Sequence, residues 1–148
     1  MSVDELYREV ILDHFQNPRN KGHLKTCDFH EKGENPLCGD SIDLYFIFDN
    51  DIIKDIKFEG NGCSISQASV SMMTEAIKGK PIKEIKAIIE LFKEMMLEDK
   101  INPFKDNFDL EDLGALEGVK NYPVRIKCAL LAWNTLSELF KKIAEKKP

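Results

Sequence analysis

Four residues of this 148-residue chain are of types that could do chemistry together: Cys38, Asp40, Cys63 and Cys128. Cys38-Gly39-Asp40 stands just before a clean strand pattern, and Gly39 lets the backbone turn so that both flanking side chains can face one centre. Cys63 follows Gly60-Asn61-Gly62 and opens a helical run, where the positive end of the helix favours a thiolate. Cys128 falls in the second turn of the last expected helix, with Arg125 one turn before it and Lys127 beside it. Three thiolates and one carboxylate make a four-coordinate donor set suited to zinc. Taken singly, a cysteine is more often a small core residue than a ligand. The Cys-Gly-Asp and Gly-x-Gly-Cys settings favour the ligand reading for Cys38 and Cys63, but no C-x-x-C pair is present, so spacing alone leaves a metal site open. Cys27 has no such setting and reads as strand packing. His14, His23 and His30 lack ligand spacing and read as surface or helix-end residues, and Met72, Met73, Met95 and Met96 read as core. Arg125 could pair with Asp40, meet a partner's carboxylate, or only cover the apolar surface of its helix.

The elements that must hold these residues follow from periodicity. Ser2-Val3-Asp4-Glu5 has the form of a capping box, and Leu6, Val10 and Ile11 continue at helical spacing until Asn17-Pro18. Thr26 to Lys32 alternates weakly as a first strand, with Cys27 and Phe29 on one face. Ile42, Leu44, Phe46 and Phe48 alternate with Ser41, Asp43, Tyr45 and Ile47 as a second. After the turn at Asp49-Asn50-Asp51, Ile52 to Glu59 makes a third. Helices are expected over Ser64 to Lys78, from Pro81 through Met96, briefly around Leu110 to Leu116, and from Pro123 to about Lys142, with Glu98 to Asp109 as a loop. Strands first and helices after predict an α+β fold: a small antiparallel three-stranded sheet with helices packed on one face.

Length fits one domain over residues 1–148, and 43% hydrophobic residues suffice for an ordinary core. The net charge of -5 argues against a nucleic-acid partner. No run is long and apolar enough for a membrane span, and the start Met1-Ser2-Val3-Asp4-Glu5 lacks a signal-peptide pattern, so the expected location is cytoplasmic. In a reducing compartment, four cysteines point to metal or thiol chemistry before disulfides.

Three segments carry a specific resemblance. Asn35-Pro36-Leu37-Cys38-Gly39-Asp40, Gly60-Asn61-Gly62-Cys63-Ser64-Ile65-Ser66-Gln67-Ala68-Ser69 and Tyr122-Pro123-Val124-Arg125-Ile126-Lys127-Cys128 resemble, in order, the three motifs of the IscU/SufU/NifU-N family, which assembles iron–sulfur clusters. The likeness runs from the first helix to the last. Within the family the chain is similar to the SufU branch: it has Lys127 where IscU proteins carry a histidine just before the third cysteine, and a longer stretch between Cys63 and Cys128. The resemblance implies zinc held by Cys38, Asp40, Cys63 and Cys128, and sulfur accepted as a persulfide from a cysteine desulfurase for downstream assembly or acceptor proteins. Cys38, on a Gly-flanked loop, is then the expected acceptor, and Arg125 the residue expected to act beside it. Asp40, a hard oxygen among soft sulfurs, is the ligand expected to exchange. The same resemblance implies a second reading, a scaffold on which a transient [2Fe–2S] cluster or iron is held by Cys38, Cys63 and Cys128. A third, from a different class, is a non-catalytic partner-binding domain with structural zinc.

Overall fold

The alternation from Ser41 to Phe48 becomes the middle strand of a three-stranded antiparallel sheet. In the computed structural model, which describes residues 3–98, 100–107 and 109–146, β1 (Phe29–Asn35), β2 (Asp40–Asp49) and β3 (Ile52–Asn61) pair in the order β1-β2-β3. Ile42, Leu44, Phe46, Ile56 and Phe58 point to one face and are fully or almost fully buried. That face receives α2 (Ser64–Ile77) and α4 (Pro123–Lys146), with α1 (Val3–Gln16) and α3 (Ile82–Leu97) packed around them. A 3₁₀ segment (Glu111–Asn121) joins α3 to α4 across the loop. The sheet is a meander with helices on one face, as the pattern predicts, because one face of each strand is apolar and the other is not. Among the described residues no helix is long and apolar enough to cross a membrane.

α2 is buried almost all round, between α1, α4 and the sheet. Its polar residues are matched inside. Ser69 donates to the Ala129 carbonyl at 2.6 Å and accepts from the Trp133 indole at 3.1 Å, so α2 and α4 are locked at the level of the stacked Phe92–Trp133 pair. Met72, Met73, Met95 and Met96 are core residues, as their spacing predicts.

Several expectations are corrected. β1 begins at Phe29, three residues after Thr26, and runs to Asn35. Phe29 packs inward as expected, but the positions that follow on the same face are buried Glu31 and Asn35, so that face is not apolar along its length. Glu31 is compensated by Lys142 of α4 at 2.5 Å. Cys27 therefore precedes the strand and is half-buried. In α1, Leu6 is half exposed, and the packed face is Tyr7, Val10, Ile11 and His14. The expected capping residue Ser2 lies outside the described residues. Pro81 is the N-cap of α3 and not its first helical residue, because its extended backbone pairs with Ile52. The helix expected around Leu110 to Leu116 is a longer 3₁₀ segment. Gly114 fits there because Asn102 lies so close that a Cβ would stand 2.1 Å from its Nδ2. α4 continues four residues past Lys142, to Lys146.

Candidate metal centre

Asn35 and Asp40 close the β1–β2 hairpin as its last cross-strand pair, and the turn between them carries Cys38. The Cys38 amide donates to the Asn35 carbonyl at 3.2 Å, and Gly39 takes the left-handed conformation at φ 70 that the turn needs. Asp40, as the first residue of β2, is carried inward and is only 2% exposed. Its Oδ1 accepts the Cys63 amide at 2.9 Å. This contact requires Gly62, where a Cβ would lie 2.3 Å from Asp40 Oδ1. Cys63 is the N-cap of α2, its Sγ accepting the Ser66 amide at 3.5 Å, and the first turn of that helix holds no acidic side chain. Pro123 opens α4, and the second turn brings in Cys128, fully buried.

Cys38 Sγ, a carboxylate oxygen of Asp40 and Cys128 Sγ lie within 4.8 Å of one another. Cys63 stands outside that tight triplet, engaged in its cap, yet near enough to interact with Cys128. Burial, then the neighbouring side chains of Asp40, Cys38 and Cys63, push the Cys128 thiol well above the usual thiol range. Arg125 is exposed, one turn before Cys128, and its guanidinium is drawn to the thiols of Cys63 and Cys128, which raise its own pKa. Of the three readings open for Arg125, none names the thiols, which are the groups its guanidinium interacts with here. Neither Cys27 nor any histidine belongs to this cluster.

Asp40 Oδ2 is buried and has no hydrogen-bond partner among the described residues. An orphaned carboxylate oxygen costs about 1–3 kcal/mol or more, and a cation bound there would satisfy it. With soft sulfurs around one hard oxygen, the residues fit a four-coordinate zinc ion. A cation would also displace the proton that Cys128 otherwise keeps.

Two further clusters escape sequence reasoning. His14, expected at the surface or a helix end, does lie near the end of α1 but is buried. Its Nδ1 meets Ser71 Oγ at 2.9 Å and its Nε2 meets Asp112 at 2.8 Å, clipping α1 to α2 and the 3₁₀ segment. Its position seven residues after Tyr7, on the packed face, was the available signal. On the open face of the sheet, the rings of His23 and His30 lie on Tyr45 with centroids 4.5 and 4.6 Å away. Asn35 also went unnoticed as a site residue. Its side-chain amide reaches Cys128 Sγ at 3.9 Å, so one residue ties the Cys38 turn to the Cys128 helix.

Comparison with known proteins is consistent over nearly the whole chain. The model of the NifU-like N-terminal domain matches residues 6–138. The zinc-dependent sulfurtransferase SufU of Bacillus subtilis (strain 168) is 49% identical over 137 residues, covering 93% of this chain and 90% of that protein. The iron–sulfur cluster assembly scaffold protein IscU of Thermotoga maritima is 41% identical over 139 residues, covering 94% and 95%. The crystal structure of the N-terminal part of a nitrogen-fixing NifU-like protein from Brucella abortus superposes with a TM-score of 0.86 at 25% identity, covering 98% and 99% of the two chains.

Proposed function

The chain belongs to the NifU-like N-terminal domain family, and on that premise we propose that it is a zinc-dependent sulfur acceptor in iron–sulfur cluster assembly, acting over residues 1–148 as one domain. The observation that carries this reading is the triplet of Cys38, Asp40 and Cys128, in which Asp40 keeps one buried oxygen without a hydrogen-bond partner among the described residues. Cys63, adjacent to the triplet, is the fourth donor. Zinc, when bound, holds thiolates deprotonated and brings no redox chemistry of its own.

The partner is a cysteine desulfurase that carries a persulfide. The Cys38 thiolate attacks the outer sulfur of that persulfide. The S–S bond breaks, its electron pair leaves with the desulfurase cysteine, and a new S–S bond forms at Cys38. Cys38 suits this role because it sits on a turn, whereas Cys63 and Cys128 are fixed by helix geometry. Arg125 places a cation beside Cys63 and Cys128. Downstream assembly or acceptor proteins then take the sulfur. Four unpaired cysteines suit a reducing cytoplasm.

The zinc-bearing relative at 49% identity and the Lys127 position favour sulfur acceptance over the scaffold reading, in which a [2Fe–2S] cluster is the cargo. The test is a single turnover with a cysteine desulfurase and cysteine, followed by mass analysis of the intact protein and its Cys38 peptide. One added sulfur atom on Cys38 is expected. A chain that gains no sulfur but builds a cluster from iron and sulfide would overturn the reading.

A further inference from the structure

A groove of about 640 Å³ runs from α1 past the start of α2 to the 3₁₀ segment and the first turn of α4. Arg8, Ile11, Ile65, Tyr122 and Arg125 are among its lining residues, and no carboxylate lines it. Arg8 has no ion-pair partner among the described residues. In a chain of net charge -5, two guanidiniums facing one groove without a carboxylate between them are an uncompensated positive site. No cysteine lines the groove, but its Arg125 end lies next to the sulfur centre: that guanidinium interacts with Cys63 and Cys128, and Cys128 Sγ is within 4.8 Å of Cys38 Sγ. The groove thus combines an apolar floor, a cation at Arg8 and a cation beside the sulfur centre. Its volume suits a ligand the size of a di- or tripeptide.

We infer that this groove binds a low-molecular-weight thiol bearing carboxylates, and that this thiol removes sulfur from the Cys38 persulfide. A carboxylate pairs with Arg8, and the ligand's own sulfur reaches past Arg125 towards Cys38. The step is an exchange that balances without any oxidant or reductant. The ligand thiolate attacks the outer sulfur of Cys38–S–SH. The Cys38 S–S bond breaks, its electron pair stays on Cys38 as a thiolate, and the ligand leaves as R–S–SH with the proton of the outer sulfur. The inference rests on the sulfur-acceptor reading, since it needs a persulfide at Cys38.

The experiment loads the zinc-bound protein with inorganic polysulfide, so that it does not depend on any desulfurase. Glutathione and 2-mercaptoethanol are then compared as acceptors at equal thiolate concentration. Glutathione is expected to remove sulfur about tenfold faster, and Arg8→Gln to lower that ratio about two- to fivefold, the value of one charge pair at an exposed residue. Arg8→Lys, which keeps the charge, should retain most of the preference, and added salt should weaken it. S-methylglutathione, which has the carboxylates and no nucleophile, should compete. A wild-type ratio near one, or a ratio that Arg8→Gln leaves unchanged, would overturn the inference. So would an Arg8→Gln variant that loses only its loading by the desulfurase, because the groove would then belong to the protein partner. Failure of loading by the desulfurase in wild type, with loading by polysulfide intact, counts against the function and not against the groove.

Discussion

Replacing Asp40 by asparagine should make the metal-free protein more stable and the metal-loaded protein less stable. In the metal-free fold, Asp40 Oδ1 accepts the Cys63 amide and Oδ2 is buried without a partner. Asparagine keeps the shape and the Oδ1 acceptor, and puts an NH₂ donor beside the sulfurs of Cys38 and Cys128. Removing the orphaned acceptor recovers about 1–3 kcal/mol, while the bond from Cys63 falls from a charged to a neutral one at a cost of about 1 kcal/mol. The net gain is about 1 kcal/mol, or about 3 °C in Tm for a domain of this size. With zinc the sign reverses. At a free metal concentration of 100 times Kd, binding stabilises the wild type by about 2.7 kcal/mol, and a variant binding about a hundredfold more weakly gains only about 0.4 kcal/mol. The loaded variant is then about 1 kcal/mol less stable than the loaded wild type. The assay is thermal unfolding of both proteins after chelation and again with excess zinc. A metal-free variant that melts below metal-free wild type would refute the reasoning, since Asp40 would then be a structural residue whose carboxylate is satisfied.

Other expectations follow from the same geometry. Gly62→Ala should cost about 2–3 kcal/mol of stability and weaken zinc binding, because its Cβ would lie 2.3 Å from Asp40 Oδ1; denaturant unfolding and metal titration measure both, and a neutral outcome would show that the Asp40 contact yields freely. Cys38→Ser should abolish stimulation of a cysteine desulfurase while Cys27→Ser leaves it near normal, read as sulfide release; equal losses would show that the thiols are misranked. Tyr45 should ionise late, near pH 12, because its hydroxyl donates to Glu59 and is desolvated. Its raised pKa stabilises the fold below the ordinary value of 10.0 and that contribution is lost as pH rises towards about 12. An ultraviolet titration of wild type against Tyr45→Phe and Glu59→Gln checks this: the late transition should vanish in the first variant and move down in the second.

The sheet was legible because Ile42, Leu44 and Phe46 of β2 and Ile56 and Phe58 of β3 recur at every second residue, and α3 because its isoleucines and Phe92 recur on one face. β1 was placed three residues early because its inward positions hold Glu31 and Asn35, whose burial depends on Lys142 and Cys128, about a hundred residues away. No local pattern carries that information. His14 does stand at a helix end, but its burial was not legible for the same reason: its partners Ser71 and Asp112 come from two distant elements. Cys38, Asp40 and Cys128 could be named because turn glycine, strand start and helix start leave marks in the sequence. What separates Cys63 from the other three is that its sulfur caps α2 by accepting the Ser66 amide, and that leaves no mark.

The central claim is that Cys38, Asp40, Cys63 and Cys128 form one metal centre. X-ray absorption at the zinc edge, on protein loaded with one equivalent of zinc, tests it most directly. Three sulfur neighbours at about 2.3 Å and one oxygen at about 2.0–2.2 Å are expected, with the oxygen signal altered in Asp40→Asn and one sulfur lost in Cys63→Ser. A spectrum showing imidazole nitrogen, or an unchanged sulfur count in Cys63→Ser, would contradict it.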